Sequence, residues 1–428
     1  MKSQKVIFIL YNLAWKTVLP FLKKNRSFKG SYKLRTSSDH FNKTDIWMHG
    51  ASGGEAYIAV EILKRIKPSA ALDILYTATT AQGLEIMNSF SKGSEINPKI
   101  KIHVTWFPFD IPKIIEKIIL RTNPKLMVLL ETEIWPGHLY MLKQYNIKTV
   151  IINARLSAKS FSRYLKTKLI WKQISPDKIL ATSVKDAERY KKIFDLKTEI
   201  TTMPNIKFDS ILTAREAQKD PGNLKTIIPS EIPFSILASI RKEEEIHLEK
   251  ILKHLIKSFP EQIIAIFPKH LNRVEPLSNM LNNITSEFTE PGYKWKLRSK
   301  ITKLVDKKTI ILWDTFGELK QAYTYAVTAF VGGSLEPLGG QNFLEPIVCG
   351  AATVTGPYLN SFKWVEQDIF ESNIVFKAQN AKQVGEFMVE KLNNPPDRDE
   401  LKEKSLAYIQ KNQGGTAISV KTIMDCFK

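Results

Sequence analysis

Only two cysteines, Cys349 and Cys426, occur in the 428 residues, and no Cys-x-x-Cys pair is present. A disulfide framework is therefore excluded, and a reducing compartment is expected. Cys349 falls in an apolar helical stretch and reads as a core residue, while Cys426 lies close to the last residue. The seven histidines form neither His-x-His nor His-Glu-x-x-His, which argues against a zinc site. Repeats of 20–50 residues and low-complexity tracts are also missing. Acidic charge is scarce: 43 Asp and Glu against 63 Lys and Arg leave a net charge of +20. That balance favours anionic partners, whether nucleic acid, acidic lipid surfaces or phosphorylated substrates; a merely solvated basic surface is the bland alternative. What is present, 43% hydrophobic and 25% charged residues, is the composition of a folded chain. Its length predicts two domains.

The shortage of acid is sharpest at the start, where the first acidic residue is Asp39. Val6 to Leu22 is seventeen almost wholly apolar residues, broken by Asn12, Lys16 and Pro20. As a helix it would reach about 25 Å, slightly short of the roughly 30 Å hydrocarbon core. No small-residue cleavage site follows, against a removed signal peptide. Lys23, Lys24, Arg26, Lys29, Lys33 and Arg35 come next. They are expected to stay cytoplasmic, to hold the downstream chain there and to attract anionic lipid headgroups. Membrane attachment, spanning or interfacial, is the expectation; a buried first helix of a soluble domain is the alternative.

From Asp45 onward, short apolar runs alternate with amphipathic ones. Strands are predicted at 46–49, 72–77, 102–106, 126–130, 149–153 and 178–182, with helices such as 55–66, 112–120 and 136–144 between them. Polarity rises from Thr213 to Pro233, and Asp220-Pro221-Gly222-Asn223 reads as a turn at a domain junction. The pattern restarts with strands at 234–239, 263–267, 309–313, 327–331 and 352–355, helices at 243–259, 317–325 and 341–349, and a helical tail from Lys382. Such alternation predicts an α/β chain of two doubly wound, mainly parallel domains facing a cleft, with ligands at the carboxyl ends of the strands.

Those strand ends carry the candidate chemistry. After the strand 327–331, four glycines fall within nine residues, Gly332, Gly333, Gly339 and Gly340, ahead of Gln341-Asn342-Phe343-Leu344-Glu345. Backbone N–H groups there could cradle a phosphate at a helix N-terminus. His49-Gly50-Ala51-Ser52-Gly53-Gly54-Glu55 puts Glu55 in the first turn of a helix. The dipole would lower its pKa and leave it able to accept a proton, although most first-turn carboxylates only complement the dipole. Glu131-Thr132-Glu133 would aim two carboxylates the same way if the strand continues, to share a proton, hold a metal or bind sugar hydroxyls; a plain acidic loop is the alternative. Trp135-Pro136 suits a helix start. Arg155, in Asn153-Ala154-Arg155-Leu156-Ser157, presents a fork for carboxylate or phosphate, or else a salt bridge to those acids. Lys269 could meet a phosphate, and the Trp313–Leu319 stretch could read a base edge, with Thr315 as a rival N-cap. Asp397-Arg398-Asp399 reads as a helix cap and not as a metal site.

Taken together, these motifs resemble the bacterial 3-deoxy-D-manno-octulosonic acid (Kdo) transferase family of lipopolysaccharide biosynthesis. The resemblance runs almost end to end: the apolar anchor, His49–Glu55, Glu131–Pro136, Asn153–Ala158, Lys207-Phe208-Asp209, Pro268-Lys269-His270, Gly317-Glu318-Leu319 and Phe330–Glu345. It implies a GT-B glycosyltransferase with a membrane anchor at 1–35, an acceptor domain at 36–215 and a nucleotide-sugar domain at 216–428. CMP-Kdo would be the donor, a lipid A precursor the acceptor, and anionic inner-membrane lipids the surface, with no nucleic acid, cofactor or metal. Glu55 would be the general base. Pro268, Lys269, Phe316, Gly317, Glu318, Asn342, Phe343, Leu344 and Glu345 would bind CMP. Some positions depart from the family pattern: Lys269 stands where arginine is common, Gln341 replaces a histidine, and Pro204-Asn205 replaces a glycine-led turn. Ser239–Glu245 lacks the usual Thr-His and Gly. The rival readings are a GT-B transferase using a UDP-sugar and a basic membrane-associated protein without catalysis.

Overall fold

Short runs of Ile, Leu and Val with no polar alternation are suited to strands covered on both faces, and they build two parallel sheets. A computed structural model describes residues 2–216, 224–288, 290, 292–365 and 367–428. The Asp220–Asn223 turn expected at the domain junction lies outside the described residues. The chain divides into two compact units, residues 1–210 with 412–428, and residues 211–411.

In the first unit the strands are β1 (Ile46–His49), β2 (Leu72–Ala78), β3 (Ile100–Trp106), β4 (Leu126–Leu130), β5 (Lys148–Ala154), β6 (Lys178–Ala181) and β7 (Glu199–Thr202). Their order is β3-β2-β1-β4-β5-β6-β7, all parallel. The second unit holds β8 (Phe234–Ile240), β9 (Ile263–Pro268), β10 (Lys294–Leu297), β11 (Thr309–Leu312), β12 (Thr328–Val331), β13 (Ala352–Thr355) and β14 (Val375–Lys377). These run β10-β11-β9-β8-β12-β13-β14, again all parallel. Chain order reverses between β1 and β4 in one sheet and between β8 and β12 in the other. Those are the topological switch points where a doubly wound sheet opens a crevice for ligands.

The predicted strands are all found, within two residues at each end. Three more, β7, β10 and β14, complete the sheets. They are edge strands with exposed and polar positions, Glu-Ile-Thr-Thr in β7 and Lys-Trp-Lys-Leu in β10, so they carry no buried-strand signature. The last helix, Gly415–Phe427, packs on the first unit, whereas the sequence reading carries the second domain to residue 428. Its anchor is Asp209, whose carboxylate accepts from the N–H groups of Gly414 at 2.8 Å and Thr416 at 2.6 Å. Asp209 is far away in sequence, so the attachment leaves no local pattern.

The apolar N-terminal segment forms one helix, Lys2–Lys24, long and apolar enough by length and composition to cross a bilayer. Of the basic residues at its end and after it, Lys23, Lys24, Arg26, Lys29 and Lys33 are exposed, but Arg35 is not. At 4% exposure its guanidinium donates to the Phe107 and Thr79 carbonyls and lies 4.7 Å over the Trp106 ring. Arg35 therefore ties the basic segment to the sheet and cannot serve lipid headgroups.

Asp209→Ala should leave one buried and one half-buried N–H group unpaired and loosen the last helix, costing about 2–3 kcal/mol. Amide exchange over residues 415–427 should accelerate while exchange in β8–β14 is unchanged.

Candidate active site

Every carboxylate that the sequence reading singled out for proton chemistry sits at the carboxyl end of β1 or β4, beside the first switch point. β1 ends on His49, and the turn after it leads into the helix Gly53–Arg65. Gly50 is required there, because a Cβ would approach the Glu55 Cβ to 2.8 Å. Glu55, 7% exposed, turns back to its N-cap: the Ser52 N–H donates to Oε2 at 2.6 Å, and the Ser52 hydroxyl donates to the same oxygen. No hydrogen bond among the described residues ends on Oε1. Burial pushes this carboxyl above its usual pKa; the nearby Glu131 and Glu133 charges add to the rise, against the Ser52 hydrogen bonds. The dipole-lowered pKa read from sequence is thus reversed, since desolvation and two like charges outweigh the helix terminus.

Glu131 and Glu133 do not point the same way. The strand stops at Leu130, and Glu131 adopts a left-handed backbone, φ 52°, which turns the two side chains apart. Glu131 accepts from Lys207 Nζ at 2.7 Å and Asn153 Nδ2 at 3.4 Å, with Arg155 Nη1 at 3.9 Å. The salt-bridge alternative for Arg155 is therefore the one realised, but Lys207 is the closer partner. Glu133 faces His49 Nε2 at 3.2 Å and accepts from Trp135 Nε1 at 2.9 Å. Burial alone would raise the Glu133 carboxyl, but these partners hold it below its usual range. His49 is fully buried and stacked 3.7 Å from Phe107, and its Nδ1 lies 2.8 Å from the Thr77 carbonyl. The ring thus bridges the Thr77 carbonyl and hydroxyl on one side and the Glu133 carboxylate on the other. Sequence reasoning gave no role to His49 or Lys207, which are joined to the acids only by the fold.

In the second unit the glycine segment is differently employed than predicted. The N–H groups of Gly333, Ser334 and Leu335 donate to the Glu244 carboxylate at 2.5, 2.8 and 2.9 Å. Glu244, 1% exposed, follows β8 and so fills the cradle at the second switch point with an internal anion. These three N–H groups are not available to a phosphate. Gly333, Gly339 and Gly340 have φ of 67°, 95° and 82°, which glycine adopts without strain. The helix expected from Gln341 is only Leu344–Val348.

The other predicted contacts divide by exposure. Phe316 is 78% exposed on the turn after β11, next to Gly317, whose Cβ position is open and whose φ is 92°. Glu318 is occupied by Arg298 at 2.6 Å, Thr315 at 2.7 Å and Trp313 at 2.9 Å. Those donors outweigh burial and keep its pKa low, so the side chain holds the turn in shape. Thr315 donates to Glu318 and does not cap the helix. Asn342 donates to Glu345 at 2.9 Å. Burial raises the Glu345 carboxyl, with Lys320, Asn342 and Lys269 opposing. Partial desolvation and the neighbouring Arg241 charge lower the Lys269 ammonium, against Glu345. Phe343 and Leu344 are fully buried, Phe343 packing on Phe362, so only their backbone could reach a ligand. Pro268 closes β9 and is half-buried. Asp397 caps a helix as read, accepting from the N–H groups of Asp399 and Glu400.

Two doubly wound parallel-sheet units in one chain are the GT-B glycosyltransferase architecture. A glycosyltransferase structure from Rickettsia africae matches 91% of this chain and 98% of its own at a TM-score of 0.51 and 13% identity. Anabaena HepE in complex with UDP matches 89% of this chain and 98% of its own at 0.52 and 10%, a likeness of fold alone. Residues 23–210 match the family described as 3-Deoxy-D-manno-octulosonic-acid transferase (kdotransferase). The Haemophilus influenzae 3-deoxy-D-manno-octulosonic acid transferase is 29% identical over 390 residues, 90% of this chain and 86% of that protein. Its Bordetella pertussis counterpart is 26% identical over 393 residues, 89% and 87% of the two chains. A bifunctional glycosyltransferase/methyltransferase of Fusobacterium nucleatum is 29% identical over 91% of this chain, which spans 60% of that longer protein. Residues 23–210 thus match the Kdo transferase family that the motifs resemble, and the relatives' similarity extends over most of the chain.

A Glu55 that serves as a base must be ionised to accept a proton, and in that case activity should fall as pH drops through its raised pKa. Glu131→Gln removes a charge that raises Glu55 and frees Lys207 to lower it. The acid limb of the kcat/KM profile should therefore move to lower pH in that variant.

Proposed function

We propose that the protein transfers Kdo from CMP-Kdo to the lipid A precursor lipid IVA, on the cytoplasmic side of a bacterial inner membrane. The observation that carries this reading is Glu55: a buried carboxylate at a switch point, anchored through Oε2, with Oε1 unbonded and its pKa raised. In the proposed step Oε1 takes the proton from an acceptor sugar hydroxyl. The hydroxyl oxygen bonds to the anomeric carbon of Kdo, the bond from that carbon to the CMP phosphate oxygen breaks, and CMP leaves from the opposite face with inversion. The phosphate is already a good leaving group, so the protein mainly supplies one base, positioning and positive charge.

The donor contacts belong to the second unit. Phe316 offers an exposed ring for the base to stack on. Asn342 and Glu345, with the Phe343 and Leu344 backbone, would hold the remaining polar atoms, beside Gly317 and Pro268. With three N–H groups of the glycine segment committed to Glu244, the departing phosphate falls to Lys269, with Arg241 nearby. Glu318 acts by shaping the Phe316 turn. On the acceptor side, Arg155, Lys159, Arg163, Lys166, Lys168 and Lys172 occur with no acid before Asp177. Within that stretch burial raises the pKa of Tyr164, Arg163 opposes it and the nearby Glu133 charge adds to it, so the stretch borders the acids and suits a phosphorylated acceptor.

Incubation with CMP-Kdo and lipid IVA, followed by mass spectrometry, tests the reading. Glu55→Gln should lower transfer by about 10²–10⁴-fold while CMP still protects against thermal unfolding. Phe316→Ala should weaken CMP protection and leave the fold intact. Protection by UDP in place of CMP would favour a UDP-sugar donor, and full transfer by Glu55→Gln would remove Glu55 as the base.

A further inference from the structure

We infer that the N-terminal helix Lys2–Lys24 lies in the plane of an anionic phospholipid surface and does not cross the bilayer. The inference stands whichever sugar is transferred. One stripe of the helix is docked on the first unit. Phe8, 5% exposed, stacks on Tyr140 with ring centres 3.9 Å apart and planes within 7°. Tyr11 donates to Asp110 at 2.7 Å, and Trp15 stacks on Phe109 at 6.2 Å. Positions 8, 11 and 15 fall on one helical face. Asp110 is itself fixed, because it also accepts from the N–H groups of Gly137 and His138 at the start of the helix Pro136–Gln144. Tyr11 is thereby tied to a rigid point of the fold.

A spanning helix cannot keep these contacts. Residues 8 to 15 cover about 10 Å of its axis, within the apolar stretch that would occupy the hydrocarbon. Either Asp110, Tyr140 and the segments bearing them would enter the lipid, or the stack and the hydrogen bond would break. The opposite face matches a membrane surface. Val6, Ile9, Leu10, Leu13 and Phe21 are exposed there and face no protein atoms that would cover them. Lys23, Lys24, Arg26, Lys29 and Lys33 continue from the helix, all exposed, and no acidic residue precedes Asp39. An apolar face one side chain deep followed by five uncompensated cations fits headgroups above a shallow apolar layer. A second copy of this chain would bring the same positive charge to the contact, which disfavours self-association through this face.

Two measurements test the inference on the full-length protein. An epitope tag fused ahead of Met1 should be digested by protease added to inverted inner-membrane vesicles and protected in intact spheroplasts. Leu10→Asp/Leu13→Asp, on the exposed face, should lower partitioning onto vesicles of equal parts phosphatidylglycerol and phosphatidylethanolamine at least about tenfold. Its thermal unfolding and its transfer activity in detergent should match the parent. A tag sheltered in inverted vesicles and digested in spheroplasts would mean a spanning helix and overturn the inference. Unchanged vesicle binding by the double variant would overturn it too, as would conversion of a dimer to a monomer with no loss of lipid binding.

Discussion

A parallel strand covered on both faces has no place along its length for a solvated polar group, and the rest of this protein is arranged around that constraint. β1, β4 and β5 are buried almost throughout, as are β8, β9 and β12. Side chains able to do chemistry are consequently pushed to the strand ends. Of the two ends of each strand, the carboxyl end opens the crevice at the order reversal. Glu55, Glu131 and Glu133 gather at one reversal and Glu244 at the other, because each follows a central strand.

Once gathered, like charges must be kept apart. The left-handed turn at Glu131 separates it from Glu133 and gives each its own cation or donor: Lys207 and Arg155 for one, His49 and Trp135 for the other. Glu55 receives no such partner beyond Ser52, and its carboxyl rises above its usual pKa. Glu55 and Glu133, on neighbouring turns, thus come to differ in proton affinity, and the less compensated of the two is the one suited to accept a proton. The same economy of charge accounts for Glu244. A glycine turn with three converging N–H groups needs an anion to be stable, and here the chain supplies its own.

The N-terminal helix of the first unit follows from a related division. The N-terminal helix has one aromatic stripe that can leave water by packing on protein and another apolar face that cannot. Arg35, drawn into the sheet by two carbonyls and a tryptophan ring, fixes where the basic segment stops being a surface feature. Five cations remain outside it, beside the uncovered face.

Sequence alone determined the two doubly wound units, because uninterrupted runs such as Leu126–Leu130 and Ile263–Phe267 can be neither exposed strands nor helices of that length. It also located the strand-end motifs and, through their order, the resemblance to the Kdo transferases. Three of the four edge strands were illegible: Glu199–Thr202, for one, is polar and mostly exposed and becomes a strand only when β6 offers it a ladder. Tertiary structure decided the partners: Lys207 for Glu131, His49 for Glu133, Glu244 for the glycine turn and Asp209 for the last helix. It also decided the pKa of Glu55, which a helix terminus by itself would lower and which burial beside two carboxylates raises. Local patterns can report which residues lie at a strand's end. They cannot report which distant charges come to lie beside them, and at short range in a poorly solvated site those charges set what each group can do.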